Sequence, residues 1–192
     1  MTITELTTER LWLRGWRESD RDPWAALNAD PEVRRFFPNT LTRAESDASI
    51  DRYQAQFAAH GWSVWAAELR HTGEFIGFIG LWPLPDNIPA APGVELGWRL
   101  AKPYWGHGYA PEGARAAMDF GFVTLGLPEL VAQTTTTNAP SRRVMEKIGL
   151  TYDPADDFEH PEAGDTHFES SVLYRLDRAG YDRLSSANRS SA

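Results

Sequence analysis

No cysteine occurs anywhere in the 192-residue chain, which excludes disulfides, thiolate-ligated zinc and covalent catalysis through a thiol. No stretch of about eighteen consecutive apolar residues is present, and the opening Met1 to Arg10 is polar, so neither a membrane span nor a secretion signal is expected and a cytoplasmic protein is the default. Basic residues are outnumbered, 19 against 27 acidic ones, for a formal net charge of −8. That balance argues against a general nucleic-acid binder, because phosphate neutralisation dominates such affinity. Lysine itself stands only at Lys102 and Lys147, so arginine carries the basic chemistry, and arginine suits bidentate phosphate contacts.

What is present is a full hydrophobic complement, 42% of residues, enough for one domain with a complete core. A domain over residues 1–184 and a loose, polar tail over 185–192 are expected. The eight tryptophans are core or interface candidates.

The pattern along the chain is that of an α/β protein. Leu11 and Leu13 alternate with Trp12 and Arg14 as in a strand, and Glu18-Ser19-Asp20 opens a short helix. Thr42 and Glu45 form a capping box for a helix that Gly61 stops near His60. Trp62 to Leu69 and Phe75 to Trp82 are β-rich runs whose linker has hairpin length. After a proline-rich loop, Val94 to Leu100 is a third strand, followed by a helix from Pro111 to Leu125 with a small-residue stripe suited to lying close on a sheet. Leu130 to Thr137 is β-prone, Asn138 opens a further helix, Gly149 is its C-terminal signal, and Ser171 to Leu176 is a last strand.

The run Trp105-Gly106-His107-Gly108-Tyr109-Ala110 lies between a strand and a helix start. Glycines there let backbone approach a ligand, and the amides of such a turn, with the helix dipole behind them, make an anion site that suits a pyrophosphate. Gly-His-Gly alone is also what an ordinary tight turn looks like. The dinucleotide fingerprint fails because Pro111 stands at the third glycine position, and the P-loop fails because no Gly-Lys-Ser/Thr follows.

The whole stretch from Val94-Glu95-Leu96-Gly97-Trp98-Arg99-Leu100 to Ala110 resembles motif A of the GNAT N-acetyltransferase superfamily. Asn138 to Leu150 is similar to the motif that closes the coenzyme site there. Thr8-Glu9-Arg10-Leu11-Trp12-Leu13-Arg14 and Gly73-Glu74-Phe75-Ile76-Gly77 resemble the branch holding the Rim-type ribosomal-protein N-terminal acetyltransferases. One departure is Trp105, where the family usually opens the pyrophosphate turn with Arg or Gln. The resemblance covers about residues 8–177.

This resemblance implies a mixed, mostly antiparallel sheet with helices on both faces and its fourth and fifth strands splayed, the pantetheine arm entering between Leu100 and the strand before Asn138. It implies acetyl-CoA as donor, no metal, direct attack by a primary amine, and backbone near Leu100 polarising the thioester carbonyl. The acceptor stays open between a protein or peptide N-terminus and a small-molecule amine, and homodimers are common in the family. A non-catalytic acyl-CoA sensor or interaction module is the alternative, against which Glu95, Asn138 and Ser141 weigh.

Cofactor contacts are then expected from Leu100, Trp105, Gly106, His107, Gly108, Tyr109, Ala110, Asn138 and Arg142. Glu95 is either a base acting through water or a salt-bridged strand residue with Arg99 as a candidate partner. Ser141 is either a proton donor to the leaving thiolate or simply the N3 residue of a helix capped by Asn138. Arg142 and Arg143 either face phosphates or form an exposed basic first turn, and His107 contributes its backbone. Phe36, Phe37 and Trp82 fall in segments that line the acceptor site in relatives, with ordinary packing as the other reading. His160 and His167 stand among Asp153, Asp156, Asp157, Glu159, Glu162 and Asp165, but the calcium-loop spacing is absent and a solvated acidic loop is expected. Such a loop would attract a cationic amine.

Overall fold

A computed structural model of the chain describes residues 3–161 and 170–190, the side chains of the last helix to residue 187. Its elements are five α-helices and nine strands among the described residues, and they form an open, mixed, mostly antiparallel α/β arrangement as expected. The residues group into two compact units, 1–82 with 97–117, and 83–96 with 118–192.

In the first unit the sheet runs β1 (Leu6–Thr7), β2 (Leu11–Arg14), β3 (Val64–Leu69), β4 (Phe75–Pro83) and then the later part of β5 (Val94–Leu100). The first four are antiparallel in sequence, with Leu11 opposite Leu69 and Trp65 opposite Ile79. Strand β3 is buried along its whole length, so it is covered on both faces. Helix α1 spans Arg21–Ala29 and α2 spans Arg43–His60. The capping box forms as the sequence requires: Thr42 accepts from the Glu45 amide while the Glu45 carboxylate receives the Thr42 amide at 2.7 Å. Gly61 closes α2 at φ 78°, a left-handed conformation that a residue with a Cβ adopts at a cost.

Aromatic rings fill this unit. Trp24 meets Trp16 and Phe78 edge-on, at 5.4 and 5.6 Å between centroids, and its indole N–H donates to Ser49 Oγ. One ion network is buried with them: Arg14, 2% exposed, donates to both oxygens of Asp20 and, at 2.6 Å, to Glu68. Helix α3 (Tyr109–Asp119) is brought close to the sheet by Gly113, where a Cβ would stand 2.3 Å from the Ile79 side chain and 3.1 Å from that of Leu11.

The second unit holds the start of β5, parallel to β6 (Glu129–Thr135) with Glu95 opposite Val131, then β9 (Ser170–Asp177) antiparallel to β6 over seven residue pairs, and the short β7 (Thr151–Tyr152) and β8 (Phe158–Glu159) on β9. Leu84, Ile88, Val131 and Leu173 form a buried cluster there. Helix α4 (Ala139–Lys147) follows β6. The expected helix to Leu125 is α-helical only to Asp119 and then turns once as a π-helix, Leu125 N–H reaching Phe120 O at 3.1 Å.

Helix α5 covers Arg178–Ser190, so residues 185–190 are helical where the composition suggested a loose tail. Ser186 Oγ returns to Asp182 O, the backbone bond by which serine is accommodated in a helix. Residues 191–192, and His167, Glu162 and Asp165 of the acidic loop, lie outside the described residues. No helix of the described residues is long and apolar enough to cross a membrane.

Candidate active site

β5 ends at Leu100, Ala101 leads into a single 3-10 turn over Lys102–Tyr104, and the chain then enters the glycine turn ahead of α3. Gly106 and Gly108 have φ of 80° and 81°, the left-handed region in which alternate residues turn their amides to one side. A Cβ at Gly106 would meet nothing within 4 Å, so that side of the turn is open to a ligand. The first α3 amide with a helical acceptor is that of Glu112, bonded to Gly108 O at 3.2 Å. The Tyr109 and Ala110 amides precede it in the first turn, where a helix offers no acceptor of its own, and Pro111 has no N–H. The local arrangement is therefore that of an anion cradle.

A brace holds this turn. Arg10 donates to His107 O at 2.9 Å and, through Nε and its backbone amide, to both carboxylate oxygens of Glu112 at 2.6 and 2.9 Å. Thr8 Oγ1 donates to Glu112 at 2.6 Å, and the Arg10 guanidinium lies 4.7 Å from the Tyr109 ring centroid. Burial alone would raise the Glu112 carboxyl, but the hydrogen bonds from Thr8 and Arg10 outweigh it and hold the group below its ordinary range. His107 enters this brace through its carbonyl. Arg10 and Glu112 were missed as site residues because 102 positions separate them; only the resemblance of Thr8-Glu9-Arg10 hinted at a role.

Trp105, 37% exposed, ties the turn to the strand by donating its indole N–H to Leu100 O at 2.7 Å. The substitution for Arg or Gln therefore has a positional function that needs no charge. Of the amides near Leu100, that of Ala101 is already bonded to Ile76 O at 2.9 Å.

The three expected acceptor-site residues lie in this same unit. Trp82 packs on Gly97, whose absent Cβ would stand 2.3 Å from the indole, so a side chain there and Trp82 in place exclude one another. Phe37 lies under two guanidinium groups, Arg34 at 4.2 Å and Arg99 at 4.4 Å from its centroid. Phe36 lies under Arg35, which also reaches over Trp105. Arg99 does not fill the role of an ion-pair partner in its own unit: it donates to Asn28 Oδ1 at 2.9 Å. No local pattern pointed to Arg34 or Asn28.

In the second unit Glu95 is 7% exposed and accepts from Gln133 Nε2 at 3.0 Å. A buried, hydrogen-bonded carboxylate on a strand fits both readings of this residue. Asn138 caps α4: its Oδ1 accepts from the Ser141 amide at 3.2 Å while its Nδ2 donates to Thr134 Oγ1 at 2.8 Å. The cap uses the Ser141 backbone and leaves the Ser141 hydroxyl out of it. Arg142 is largely committed within its unit, donating to the Tyr174 hydroxyl at 3.1 Å and to Thr136 O at 3.2 Å with its guanidinium 5.2 Å from the Tyr152 centroid. Tyr174 in turn donates to Glu146. Accepting from Arg142, it raises the pKa of the guanidinium.

The acidic loop is less available than its composition suggests. Asp156 accepts from Arg175 at 2.7 Å and Asp157 from the Tyr152 hydroxyl at 2.8 Å, so neutralising them disturbs packing as well as field. Among the described residues no group of acidic, histidine or cysteine side chains is arranged to hold a metal ion.

Residues 10–151 match the family described as Acetyltransferase (GNAT) domain. The protein YkkB of Bacillus subtilis (strain 168) is 33% identical over 150 residues, covering 78% of this chain and 86% of its own length. The FsC-acetyl coenzyme A-N(2)-transacetylase of Aspergillus fumigatus is 31% identical over 188 residues, 93% of this chain and 78% of that protein. Among solved structures, an acetyltransferase from Agrobacterium tumefaciens str. C58 is 32% identical with a TM-score of 0.74, covering 92% of this chain and 95% of that one.

Proposed function

The chain belongs to the GNAT acetyltransferase family, an acetyl-CoA-dependent transferase, and on that premise we propose that it acetylates a primary amine. The observation that carries the reading is the open glycine turn at Gly106 and Gly108, braced by Arg10 and Glu112 at the start of α3.

The residues fit the coenzyme. Backbone of Trp105 to Ala110 would take its pyrophosphate, with Leu100, Asn138 and Arg142 as further contacts, Arg142 through Nη2, which makes no hydrogen bond among the described residues. Bound acetyl-CoA supplies an activated thioester: its C–S bond breaks, a C–N bond to the amine forms, and the amine proton leaves with the thiol. Glu95 is the proposed base, drawing the ammonium proton through water. A lysine-like amine, with a pKa near 10.4, costs about 4.6 kcal/mol to neutralise at pH 7, an α-amine about 1, so the base matters most for the former. The Ser141 hydroxyl, outside the α4 cap, is the proposed proton donor to the thiolate. Phe36, Phe37 and Trp82 are proposed to line the acceptor.

The motifs at residues 8–14 and 73–77 favour a protein or peptide N-terminus as in the Rim-type branch, and a small amine is the second acceptor class. Free thiol released from acetyl-CoA in the presence of a panel of amines, with mass spectrometry of the products, tests the proposal. Acetylated amine with stoichiometric thiol is the expected result; tight acetyl-CoA binding without transfer to any amine would contradict it.

A further inference from the structure

The surroundings of Arg99 define the acceptor more narrowly, an inference that rests on the transfer reading above. Arg34 and Arg99 share the Phe37 ring, and Arg99 also lies over Trp24 and Phe78, at 5.6 and 5.5 Å from centroid to guanidinium. Arg34 is 7% exposed and, among the described residues, donates to one backbone carbonyl, Asn39 O at 2.8 Å. Among the described residues neither guanidinium has an ion-pair partner. Glu45, the carboxylate Arg34 feels, is committed to Thr42 in the α2 cap. Burial first, and then the like charge of Arg34, pull the Arg99 pKa down to about 10, so it stays a cation at neutral pH.

Two hydrogen-bond donors are orphaned at the same place. Arg99 Nε and Asn28 Nδ2 are buried without an acceptor, and Asn28 is wholly buried. The amide cannot be turned to remove the defect, because Asn28 Oδ1 already accepts from Arg99 Nη1 at 2.9 Å. Unpaired buried charge and unmet donors both carry a free-energy cost, and an aromatic face supplies no lone pair to a planar fork. The chemical complement of an unpaired guanidinium with unmet donors is an anion with oxygen acceptors. Arg99 keeps part of its surface open to solvent, and it stands two residues beyond Gly97 and next to Leu100, beside Phe37.

We infer that Arg99, held from below by Asn28 Oδ1 and with Arg34 adding its charge nearby, receives a carboxylate belonging to the acceptor, so that the substrate is an amine carrying its own carboxylate, an amino acid or a short peptide with a free C-terminus. Arginine gives such a group a two-point hold that lysine does not.

The test uses the full chain, thiol release from acetyl-CoA, and free amino acids each paired with its carboxamide, together with calorimetric binding of acetyl-CoA. For the best acceptor, kcat/KM of the acid should exceed that of the amide by about tenfold or more, because buried donors reject a partner that fails to satisfy them. In Arg99→Gln the acid's KM should rise by a similar factor and the acid-to-amide ratio fall towards one, with acetyl-CoA affinity unchanged; Arg99→Lys should be intermediate. Should Arg99→Gln not fold, the wild-type acid-to-amide ratio decides alone. Equal use of acids and amides, transfer only to carboxylate-free amines, or a ratio that survives in Arg99→Gln would each overturn the inference and leave acetyl transfer standing. Absence of acetyl-CoA binding would overturn the transfer reading and this inference with it.

Discussion

Replacing Glu112 by Gln removes one charge from the brace of the glycine turn while keeping its shape. The carboxylate accepts from Thr8 Oγ1, the Arg10 amide and Arg10 Nε at 2.6, 2.9 and 2.6 Å, and pairs with Arg10 Nη2 at 2.6 Å. An amide offers one oxygen to these donors and turns an N–H₂ towards the rest. A hydrogen bond to a charged partner contributes about 1.5–3 kcal/mol net, but the Arg10 side chain is 41% exposed and its share is screened, so about 2 kcal/mol is expected for the substitution. For a chain of this size that lowers Tm by about 4–8 °C. The pH dependence has a definite sign. The folded Glu112 pKa is depressed, so its contribution is present above the unfolded value of about 4.3 and is lost as pH falls through the folded one. Urea unfolding of wild type and Glu112→Gln should therefore differ at pH 7.5, and the difference should shrink as pH falls below the ordinary carboxylate range. The loosened His107 carbonyl should also weaken acetyl-CoA binding several-fold. Equal stability at pH 7.5, or a difference independent of pH, would refute the reasoning.

Three further substitutions separate structure from chemistry. Arg14→Met takes the buried guanidinium from Asp20 and Glu68, leaving them the Arg17 amide and the more exposed Arg17 side chain, and should cost about 3 kcal/mol by urea unfolding, whereas a loss under about 1 kcal/mol would mean the network is dispensable. Glu95→Gln should lower kcat/KM about 100-fold at pH 7 for a lysine-like amine and flatten the acidic limb of the pH profile; lost stability with retained activity would mark Glu95 as the structural partner of Gln133 alone. Ser141→Ala spares the α4 cap, which uses the Ser141 backbone, so a fall in kcat of about tenfold without a change in Tm is expected, and unchanged kcat would remove the hydroxyl from the mechanism.

What the sequence discloses here is local. The Thr42–Glu45 box, Gly61, the limits of β5 and the Asn138 cap each depend on residues within about one turn of each other, and the structure reproduces them. The turn at Gly106 and Gly108 was legible for the same reason, since the conformation that glycine permits is intrinsic to the residue type. Elements set by distant partners were not. Strands β1, β7 and β8 are two residues long, too short to show a period, and exist through pairing with β2 and β9. Asn28 and Arg99 are 71 positions apart, and nothing near either one announces their hydrogen bond. The π-helical turn at Phe120–Thr124 follows an apolar stripe that reads as ordinary α-helix.

The central claim is that the turn at Gly106 to Ala110 binds the coenzyme, and ligand-induced thermal stabilisation tests it most directly. At about 100 times Kd a ligand that binds only the folded state adds about 2.7 kcal/mol, or about 5–10 °C for this chain. Acetyl-CoA and coenzyme A should both produce that shift, NADH should not, and Gly108→Trp, measured against its own baseline, should lose it. No shift with either coenzyme, or an undiminished shift in Gly108→Trp, would contradict the account.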